Sequence, residues 1–317
     1  MTKSLLVVAL AVAWPMAAEV KLTKTATQID ITVDGKPFST LFIGPDAPKP
    51  YMHPLRSASG KVVTRGYPMI DVAGEPKDHP HHRGLWFTHG EVNHVDFWAN
   101  EASQGAKKGR VVLNKVTEVK SGTKSGRMTA VFDWKAPDGT TLLTETRTTT
   151  IHSDPRLRIV DLDISLQAGA EKVVFGDTKE GTLAIRLAHP LDEPSKRDPA
   201  GTGKMTNAEG GEGEKNVWGK RSPWVDYCGT LEGEKLGIAI FDHPANPKHP
   251  TYWHSRGYGL FAANIFGEHD FHADKSRNGS VTVEPGGKLR FRYRVVIHPG
   301  DTREAGIAEM YRQYAGS

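Results

Sequence analysis

Four consecutive segments of the chain alternate polar and apolar residues, and this alternation constrains the fold more than any other feature of the sequence. Because neighbouring side chains of a strand point to opposite faces, the pattern predicts strands with one buried face and one solvated face. Turns such as Pro137-Asp138-Gly139 separate the segments. Strands joined by short turns form antiparallel sheets. The predicted strands cover residues 110–119, 127–135, 141–152 and 157–166.

The rest of the chain continues this β pattern. Asp34-Gly35 predicts a hairpin turn near the N-terminus, and residues 280–283 and 289–298 predict a final hairpin. Only residues 303–314 place apolar side chains at the spacing of a helix, with Ile307, Met310, Tyr311 and Tyr314 on one side. Further strands are predicted over residues 217–227 and 236–242.

One segment, residues 191–214, interrupts the pattern with polar and glycine-rich sequence. It predicts an exposed loop, which is either a flap over a site or a disordered insertion. No change in composition divides the remaining chain, so residues 19–317 are predicted to form a single domain. An all-β fold explains the pattern best, with two large antiparallel sheets packed as a sandwich and one short C-terminal helix.

Residues 1–18 have the features of a secretory signal peptide. Lys3 supplies the positive charge, residues 5–13 form an apolar run, and Ala17 and Ala18 are the small residues of a cleavage site. The run is shorter than the roughly 20 residues that cross a bilayer. The sequence therefore predicts cleavage after Ala18 and a periplasmic or secreted protein that is not held in a membrane.

Composition and missing motifs exclude several classes of function. The formal net charge is only +4, and no dense Lys/Arg run interleaves with aromatic residues, so a nucleic-acid partner is not expected. The sequence lacks Rossmann and P-loop glycine patterns, so no nucleotide cofactor is predicted. It also lacks the GxSxG elbow of serine hydrolases. Cys228 is the only cysteine, which excludes an internal disulfide, and its surroundings predict a small buried residue of a strand.

Histidines cluster between residues 78 and 98, where Arg83, Glu91 and Asp96 accompany them. Either these imidazoles only complete hydrogen bonds in loops, or they line a binding or catalytic site. Their number in so short a stretch favours a site. If residues 84–89 form a strand, Leu85, Phe87 and His89 share one face. Five of the 14 histidines lie here, namely His79, His81, His82, His89 and His94.

The same stretch offers metal ligands, although no cofactor is predicted. His79 and His81 are spaced as His-x-His, and His94 and Asp96 as His-x-Asp. Neither HExxH nor a CxxC pair is present. A bound divalent metal therefore remains an open alternative, with His79, His81 and His94 as candidate ligands.

Three motifs resemble an uncharacterised group of bacterial proteins known as the PmoA family, or methane oxygenase PmoA. They are Asp78-His-Pro-His-His-Arg-Gly-Leu-Trp-Phe, Glu180-Gly181 and Trp253-His-Ser-Arg-Gly-Tyr-Gly-Leu-Phe. This resemblance covers nearly the whole mature chain. The Pro-Gly-Gly turn and long Arg/aromatic strand near the C-terminus are also similar to the end of a galactose mutarotase-like supersandwich. That second resemblance implies a carbohydrate ligand in a cleft on the face of the larger sheet.

Mutarotases and related sugar enzymes need a general acid and a general base on opposite sides of a sugar ring. The candidates for these catalytic roles are His81, His82, Glu180 and His254. Aromatic side chains, Trp98 among them, could stack on sugar faces, while Arg, Asn and His side chains hydrogen-bond hydroxyls. The predicted substrate-binding residues are His79, Arg83, Trp86, His89, His94, Asp96, Arg186, His243, Trp253, Arg256 and Asn264.

Three hypotheses about function follow. The first is an exported enzyme that performs acid–base chemistry, as an epimerase, lyase or hydrolase, on a sugar or sugar derivative. The second is a non-catalytic carbohydrate-binding protein, which needs the aromatic residues but not several imidazoles in one place. The third is a metal-dependent oxidoreductase, as the PmoA name implies. In the first two the expected partner is a small carbohydrate, and the sequence leaves the oligomeric state open.

Overall fold

A computed structural model describes residues 19–196 and 198–316. The predicted signal peptide, residues 1–18, lies outside this part of the chain. Two eight-stranded antiparallel sheets pack against each other, and a two-stranded ribbon accompanies them. This architecture confirms the predicted all-β sandwich, and a short helix near the C-terminus completes it.

The strands are β1 (Val20–Lys24), β2 (Gln28–Val33), β3 (Lys36–Phe42), β4 (Tyr51–His53), β5 (Leu85–His89), β6 (Arg110–Lys120), β7 (Ser125–Lys135), β8 (Thr141–His152), β9 (Arg158–Ala168), β10 (Val173–Phe175), β11 (Gly181–Arg186), β12 (Lys204–Asn207), β13 (Trp224–Leu231), β14 (Glu234–Asp242), β15 (Tyr252–Trp253), β16 (Leu260–Asn264), β17 (Val281–Val283) and β18 (Lys288–Pro299). The helices are α1 (Glu214–Val217), α2 (Glu268–Phe271) and α3 (Ile307–Ala315), and 3₁₀ turns lie at Ala102–Gln104 and His189–Leu191. No helix in the described residues is both long and apolar enough to cross a membrane.

The strand order separates the chain into two sheets. Sheet I has the order β1-β2-β3-β4-β5-β11-β16-β15, and sheet II has the order β12-β13-β14-β18-β9-β8-β7-β6. Strands β6 to β9 confirm the four strands predicted from alternation, to within two residues at each end. The predicted first hairpin is confirmed as well, because Asp34 and Gly35 have φ values of 53° and 73°, which a type I′ turn requires.

The core lies between the two sheets. Phe87 of β5 points inward, and its ring centroid lies 6.4 Å from that of Trp134 in β7 and 5.6 Å from that of Phe291 in β18. Burying an aromatic side chain of this size contributes about 2–3 kcal/mol each. A polar group sits within this core, where Glu145 accepts a hydrogen bond from Trp134 Nε1 (2.8 Å) and pairs with Arg147 (2.6 Å). Apart from this hydrogen-bonded polar group, the two sheets are joined chiefly through apolar contacts.

The outer face of sheet I carries a second apolar layer, which supports the histidine stretch. Because side chains alternate along β5, Trp86 points away from the core when Leu85 and Phe87 point into it. Trp98 packs on Trp86, with ring centroids 5.1 Å apart. The other buried members of this layer are Tyr51, Ala184, Leu260 and Ala262.

Two predictions of local structure are wrong. Residues 280–283 and 289–298 do not form a hairpin, because β17 pairs with β10 whereas β18 lies between β14 and β9. Segment 191–214 is not simply an exposed loop, because its strand β12 pairs with β13 at the edge of sheet II and Met205 is fully buried. The partner of β17 lies more than a hundred residues away in sequence, so local alternation carries no signal for that pairing. β12 pairs with the next strand, but it is only four residues long and lies within polar, glycine-rich sequence that hides it.

A third local difference lies at the start of β13. The strand predicted over residues 217–227 begins only at Trp224, and the helix α1 ends at Val217 before it. Cys228 is buried as predicted, yet its surroundings are polar rather than apolar, since its thiol lies 3.0 Å from a carboxylate oxygen of Asp226.

Candidate functional site

Asp78 and His79 form a hydrogen-bonded pair in the loop before β5. Nδ1 of His79 lies 2.6 Å from a carboxylate oxygen of Asp78, and both side chains are 41% exposed. Burial raises the pKa of Asp78, but the hydrogen bond to His79 and the charges of Arg186 and Arg65 outweigh it and hold that pKa well below its usual range. The ionised carboxylate keeps a proton on Nδ1, so Nε2 is the basic nitrogen of the ring.

Arg65 fixes the conformation of this loop. Its buried guanidinium donates to the carboxylate of Asp78 and to three carbonyl oxygens, those of Pro76 (3.2 Å), Asp78 (2.9 Å) and His79 (3.0 Å). His79 has φ 45°, a left-handed conformation that costs a non-glycine residue about 1 kcal/mol or more. The contacts from Arg65 hold the backbone in this conformation and so position the imidazole.

His79 is also part of a stack of rings. Its ring lies nearly parallel to those of His82 and Tyr258, at centroid distances of 4.7 and 5.4 Å. Arg186 donates from Nη1 to Nδ1 of His82 over 3.2 Å, and its guanidinium lies 4.8 Å from the centroid of Tyr258. Since a guanidinium can only donate, the proton of His82 is on Nε2. Burial, with the charges around it, lowers the pKa of His82 well below the usual value.

His81 points toward the neighbouring loop. Its Nδ1 lies 2.8 Å from Nε2 of Gln104, and its ring packs edge-on against Trp98. Burial and the charge of Lys49 lower the pKa of His81 to about 2. His81 is therefore a neutral ring that ties the histidine stretch to the 3₁₀ turn at Ala102–Gln104.

Trp218 and Arg256 connect a surface cleft to His254 and to this stack. Nδ1 of His254 accepts a hydrogen bond from Trp218 Nε1 (3.0 Å), and burial together with the charge of Arg256 lowers its pKa to about 3. The guanidinium of Arg256 lies 6.0 Å from the Trp218 ring and 5.6 Å from the Tyr258 ring, so it links the cleft to the stack. The cleft has a volume of about 510 Å³ and is lined by Glu214, Lys215, Trp218 and Arg256.

Glu180 approaches the same region from the turn before β11. Its side chain is 37% exposed. Burial raises its pKa, whereas the charge of Lys179 and then that of His79 lower it, and the net shift is upward. Glu180 thus lies within electrostatic range of His79 and keeps its proton to a higher pH than an ordinary glutamate does.

A family model described as a family of unknown function, DUF6807, matches residues 28–312. The chain belongs to DUF6807. The family description does not carry the methane oxygenase name, and no curated protein matches the chain.

Several solved structures are similar to this DUF6807 chain at low identity. A galactose mutarotase-like protein from Clostridium acetobutylicum has a TM-score of 0.42 and 10% identity, covering 89% of this chain and 98% of that one. A galactose mutarotase related enzyme from Lactobacillus acidophilus has a TM-score of 0.34 and 9% identity, with the same coverage. An alpha-galactosidase from Lactobacillus brevis has a TM-score of 0.41 and 9% identity over 93% of this chain, which spans only 42% of that enzyme. Similarities this weak carry no conclusion about activity.

The DUF6807 fold brings eight of the predicted site residues to the outer side of sheet I. They come from the loop before β5, from β5, from β11 and the turn before it, and from the segment between β15 and β16. One of the eight, Trp86, is only 1% exposed, and its ring stacks against that of His82 at a centroid distance of 5.2 Å. Trp86 therefore supports His82 and is not itself accessible to a ligand. The eight are His79, His81, His82, Trp86, Glu180, Arg186, His254 and Arg256.

Two predicted residues belong to the sandwich core instead. His89 shares the inward face of β5 and packs between Phe175 and Phe266, while its Nε2 lies 2.8 Å from the carbonyl of Gly176. Trp253 points inward from β15 and is fully buried. A substrate-binding role for these two residues is therefore wrong, because strand alternation turns them away from the outer face.

Three others are held in structural contacts. Arg83 forms two 2.7 Å hydrogen bonds with the carboxylate of Glu101. Asp96 accepts two backbone N–H bonds within its own turn and pairs with Lys108. Asn264 donates to the carbonyls of Thr178 and Lys179, both at 2.9 Å, and so positions the turn that carries Glu180. These contacts occupy the polar groups that the sequence assigned to substrate.

His94 and His243 lie apart from the cluster. The side chain of His94 is 94% exposed, and its Nδ1 lies 3.3 Å from Glu91. His243 follows β14 of sheet II and packs edge-on against Tyr314 of α3. Within the described residues, neither group of potential metal ligands includes His79, His81 or His94, so the predicted ligand set does not come together.

Sequence reasoning gave no role to four residues that shape the site. Asp78 and Tyr258 lie inside two of the recognised motifs, which was a usable signal. Arg65 and Trp218 lie in segments without a distinctive pattern. Arg65 contacts a carbonyl 14 residues away and Trp218 contacts an imidazole 36 residues away, and no local sequence feature predicts either contact.

Proposed function

We propose that this protein is an exported enzyme that performs acid–base chemistry on a sugar or a sugar derivative. The Asp78–His79 pair carries the proposal. A carboxylate that orients an exposed imidazole gives a general base whose Nε2 is held in a fixed direction. The left-handed backbone of His79 and the buried Arg65 behind it are features expected where geometry serves function.

In this mechanism His79 is the general base and Glu180 the general acid. Nε2 of His79 takes a proton from a carbon or hydroxyl of the substrate, and Glu180, with its raised pKa, delivers a proton elsewhere on the substrate. Solvent then returns both groups to their starting states. His82 and His254 donate hydrogen bonds from Nε2 instead of exchanging protons, because each already accepts a hydrogen bond at Nδ1. His81 supports the loop.

A carbohydrate suits the cleft beside the stack. Its volume of about 510 Å³ lies within the usual range for small-molecule sites of about 300–1,000 Å³. Trp218 offers an aromatic ring. Nε of Arg256 is paired with Glu214 over 2.8 Å, so Lys215 and the two Nη groups of Arg256 offer the donors to hydroxyl or carboxylate oxygens. An epimerase, a lyase or a hydrolase would each use this set of groups.

The test begins with a ligand screen. The mature protein, residues 19–317, is assayed by thermal shift against a panel of monosaccharides, oligosaccharides and sugar acids, because a ligand that binds the folded state raises Tm. Each ligand that raises Tm is then incubated with the protein in D₂O and followed by proton NMR. Loss of a C–H signal, a change of configuration or bond cleavage is the expected result.

Variants connect this activity to the site. His79→Gln and Glu180→Gln should each lower the rate by about a hundredfold or more, while His94→Gln, an exposed histidine of the same stretch, should retain it. Undiminished rates in both site variants would remove the mechanism. Binding without any reaction in the wild type would favour a non-catalytic carbohydrate-binding protein instead.

Export is part of the proposal and rests on the sequence of residues 1–18. Expression of the full chain in a Gram-negative host, followed by fractionation and N-terminal sequencing, tests it. The mature protein should appear in the periplasm or medium with Glu19 as its first residue. An uncleaved chain retained in the cytoplasm would contradict this part and leave the site chemistry to its own test.

A further inference from the structure

A second polar cluster lies on the outer face of sheet II, on the side that α3 covers. Cys228 of β13, Gly237 of β14 and His298 of β18 are directly opposite one another across three adjacent strands. Asp226 lies two residues before Cys228 and faces the same side. Because Gly237 has no side chain, the side chains of Cys228 and His298 can approach each other above it. A Cβ at this position would come within 2.3 Å of His298 Cε1 and 2.7 Å of Cys228 Sγ.

The side chains of Cys228 and His298 both contact the carboxylate of Asp226. Sγ of Cys228 lies 3.0 Å from Oδ2 of Asp226, and Nε2 of His298 lies 3.0 Å from Oδ1 of the same carboxylate. Asp226 is fully buried, and His298 is 1% exposed. The sulfur, one oxygen and one nitrogen lie within 4.8 Å of one another, which is close enough to share one cation.

His298 has the orientation of a metal-binding histidine. Its Nδ1 lies 3.1 Å from the backbone carbonyl of Pro299, and a hydrogen bond of this kind leaves Nε2 directed at the other two ligands. Thr302 adds a hydroxyl 3.7 Å from Sγ of Cys228. Both Cys228 and Thr302 line a cavity of about 590 Å³ that extends beside α3, so the cluster has a route to solvent.

We propose that Asp226, Cys228 and His298 bind a zinc ion, with a fourth coordination position open to this cavity. A set of one thiolate, one imidazole and one carboxylate suits Zn²⁺, whereas Mg²⁺ and Ca²⁺ prefer oxygen ligands alone. Three protein ligands and one open position are also the arrangement of catalytic rather than structural zinc sites.

Zinc binding leaves the net charge of the buried cluster unchanged. The thiol of Cys228 and the Nε2 position of His298 each give up a proton to solvent, and Zn²⁺ takes the place of those two protons. The dication then faces one carboxylate and one thiolate, so the cluster is neutral with zinc. A buried site without a net charge avoids the desolvation cost of an isolated ion.

The experiment measures metal binding on the mature protein. Protein purified without chelator should contain about one zinc ion per chain by elemental analysis, and protein stripped with a chelator should take up zinc and Co²⁺ again. Cobalt bound to a thiolate gives a charge-transfer band in the near ultraviolet, which reports Cys228 directly because it is the only cysteine. Zinc should also raise the Tm of the stripped protein.

Variants test the ligands. Cys228→Ser should abolish the cobalt–thiolate band, and Cys228→Ser and His298→Gln should each weaken zinc binding by at least about tenfold. His189→Gln is the matched control, since His189 belongs to the other His/carboxylate group and should leave the band unchanged. If Cys228→Ser does not fold, the cobalt–thiolate band of the stripped wild type reloaded with Co²⁺ tests whether Cys228 is a ligand. A folded, stripped wild type that takes up no zinc and shows no band, or equal zinc content in Cys228→Ser, overturns the proposal.

Discussion

Nε1 of Trp218 donates a hydrogen bond to Nδ1 of His254 over 3.0 Å. An indole N–H cannot accept, so Nδ1 must be unprotonated and the ring proton resides on Nε2. Protonating Nδ1 would break this bond and place a charge on a ring that is only 2% exposed. Arg186 imposes the same constraint on His82. In both histidines the ring proton is therefore on Nε2, and this protonation state has a consequence for stability.

We predict that His254 makes the fold sensitive to acid. The unfolded chain binds a proton at the ordinary pKa of 6.5, whereas the folded ring does so only near pH 3. Between these values the unfolded state binds more protons, so the free energy of unfolding falls as the pH is lowered. At pH 5 the loss from this ring is about 2 kcal/mol relative to pH 8.

Urea unfolding of the wild type and of His254→Asn at both pH values measures this effect. The variant should be less stable at pH 8, and the difference from the wild type should narrow by about 2 kcal/mol at pH 5. Trp218→Phe is the control, because it leaves the imidazole in place and burial is the largest cause of the lowered pKa of His254. This variant should therefore keep most of the pH dependence of the wild type. A difference between wild type and His254→Asn that is independent of pH would contradict the prediction.

Arg65 should be essential for the loop that carries His79. Replacing it with lysine keeps the charge but loses the fork that reaches one carboxylate and three carbonyls, so we expect a loss of about 2 kcal/mol or more in unfolding free energy. Hydrogen exchange should quicken at the N–H of His82, which is bonded to the carbonyl of His79. Lys77→Gln, which breaks an exposed pair with Asp71 in the same segment, should change stability by less than about 1 kcal/mol. Equal effects of the two substitutions would refute the role of Arg65.

Local sequence patterns predicted the layers of this fold but not all of its pairings. The alternation of Arg110 to Leu166 specifies which side chains face the core, because burial of one face is a local property of each strand. The pairing of Val281–Val283 with Val173–Phe175 joins segments more than a hundred residues apart. Nothing in a short β segment encodes such a distant partner.

The site shows the same division. The stretch around His79 and His82 was recognisable because it is dense in one uncommon residue type, and it does lie at the outer face of sheet I. His89 was misplaced although the alternation that turns it inward was visible, since Leu85 and Phe87 share its face. The protonation states of His82 and His254 depend on donors from Arg186 and Trp218, which only the folded chain brings near.

Lys179 should set the position of the alkaline limb in the pH profile of the proposed reaction. Burial raises the pKa of Glu180 and the charge of Lys179 lowers it, so Lys179→Gln should raise that pKa further. If Glu180 is the general acid, activity falls as the pH rises through its pKa, and the falling limb should move to higher pH in the variant. The measurement is kcat/KM against pH on a substrate found by the screen, with Lys172→Gln, an exposed lysine, as control. A limb that does not move, or moves to lower pH, would exclude Glu180 as the group that controls it.

Gly237 should tolerate no side chain, since it is the middle residue of the Cys228–Gly237–His298 row. An alanine Cβ would come within 2.3 Å of His298 Cε1, so the imidazole must move and lose its contact with Asp226. We expect Gly237→Ala to cost about 2 kcal/mol, from overpacking at a buried position, and to weaken zinc binding. Gly169→Ala is the matched control, because an added Cβ there meets no atom within 4 Å. Urea unfolding and zinc titration of both variants test the idea, and wild-type behaviour of Gly237→Ala in both assays would show that His298 and Cys228 do not depend on the space above this glycine.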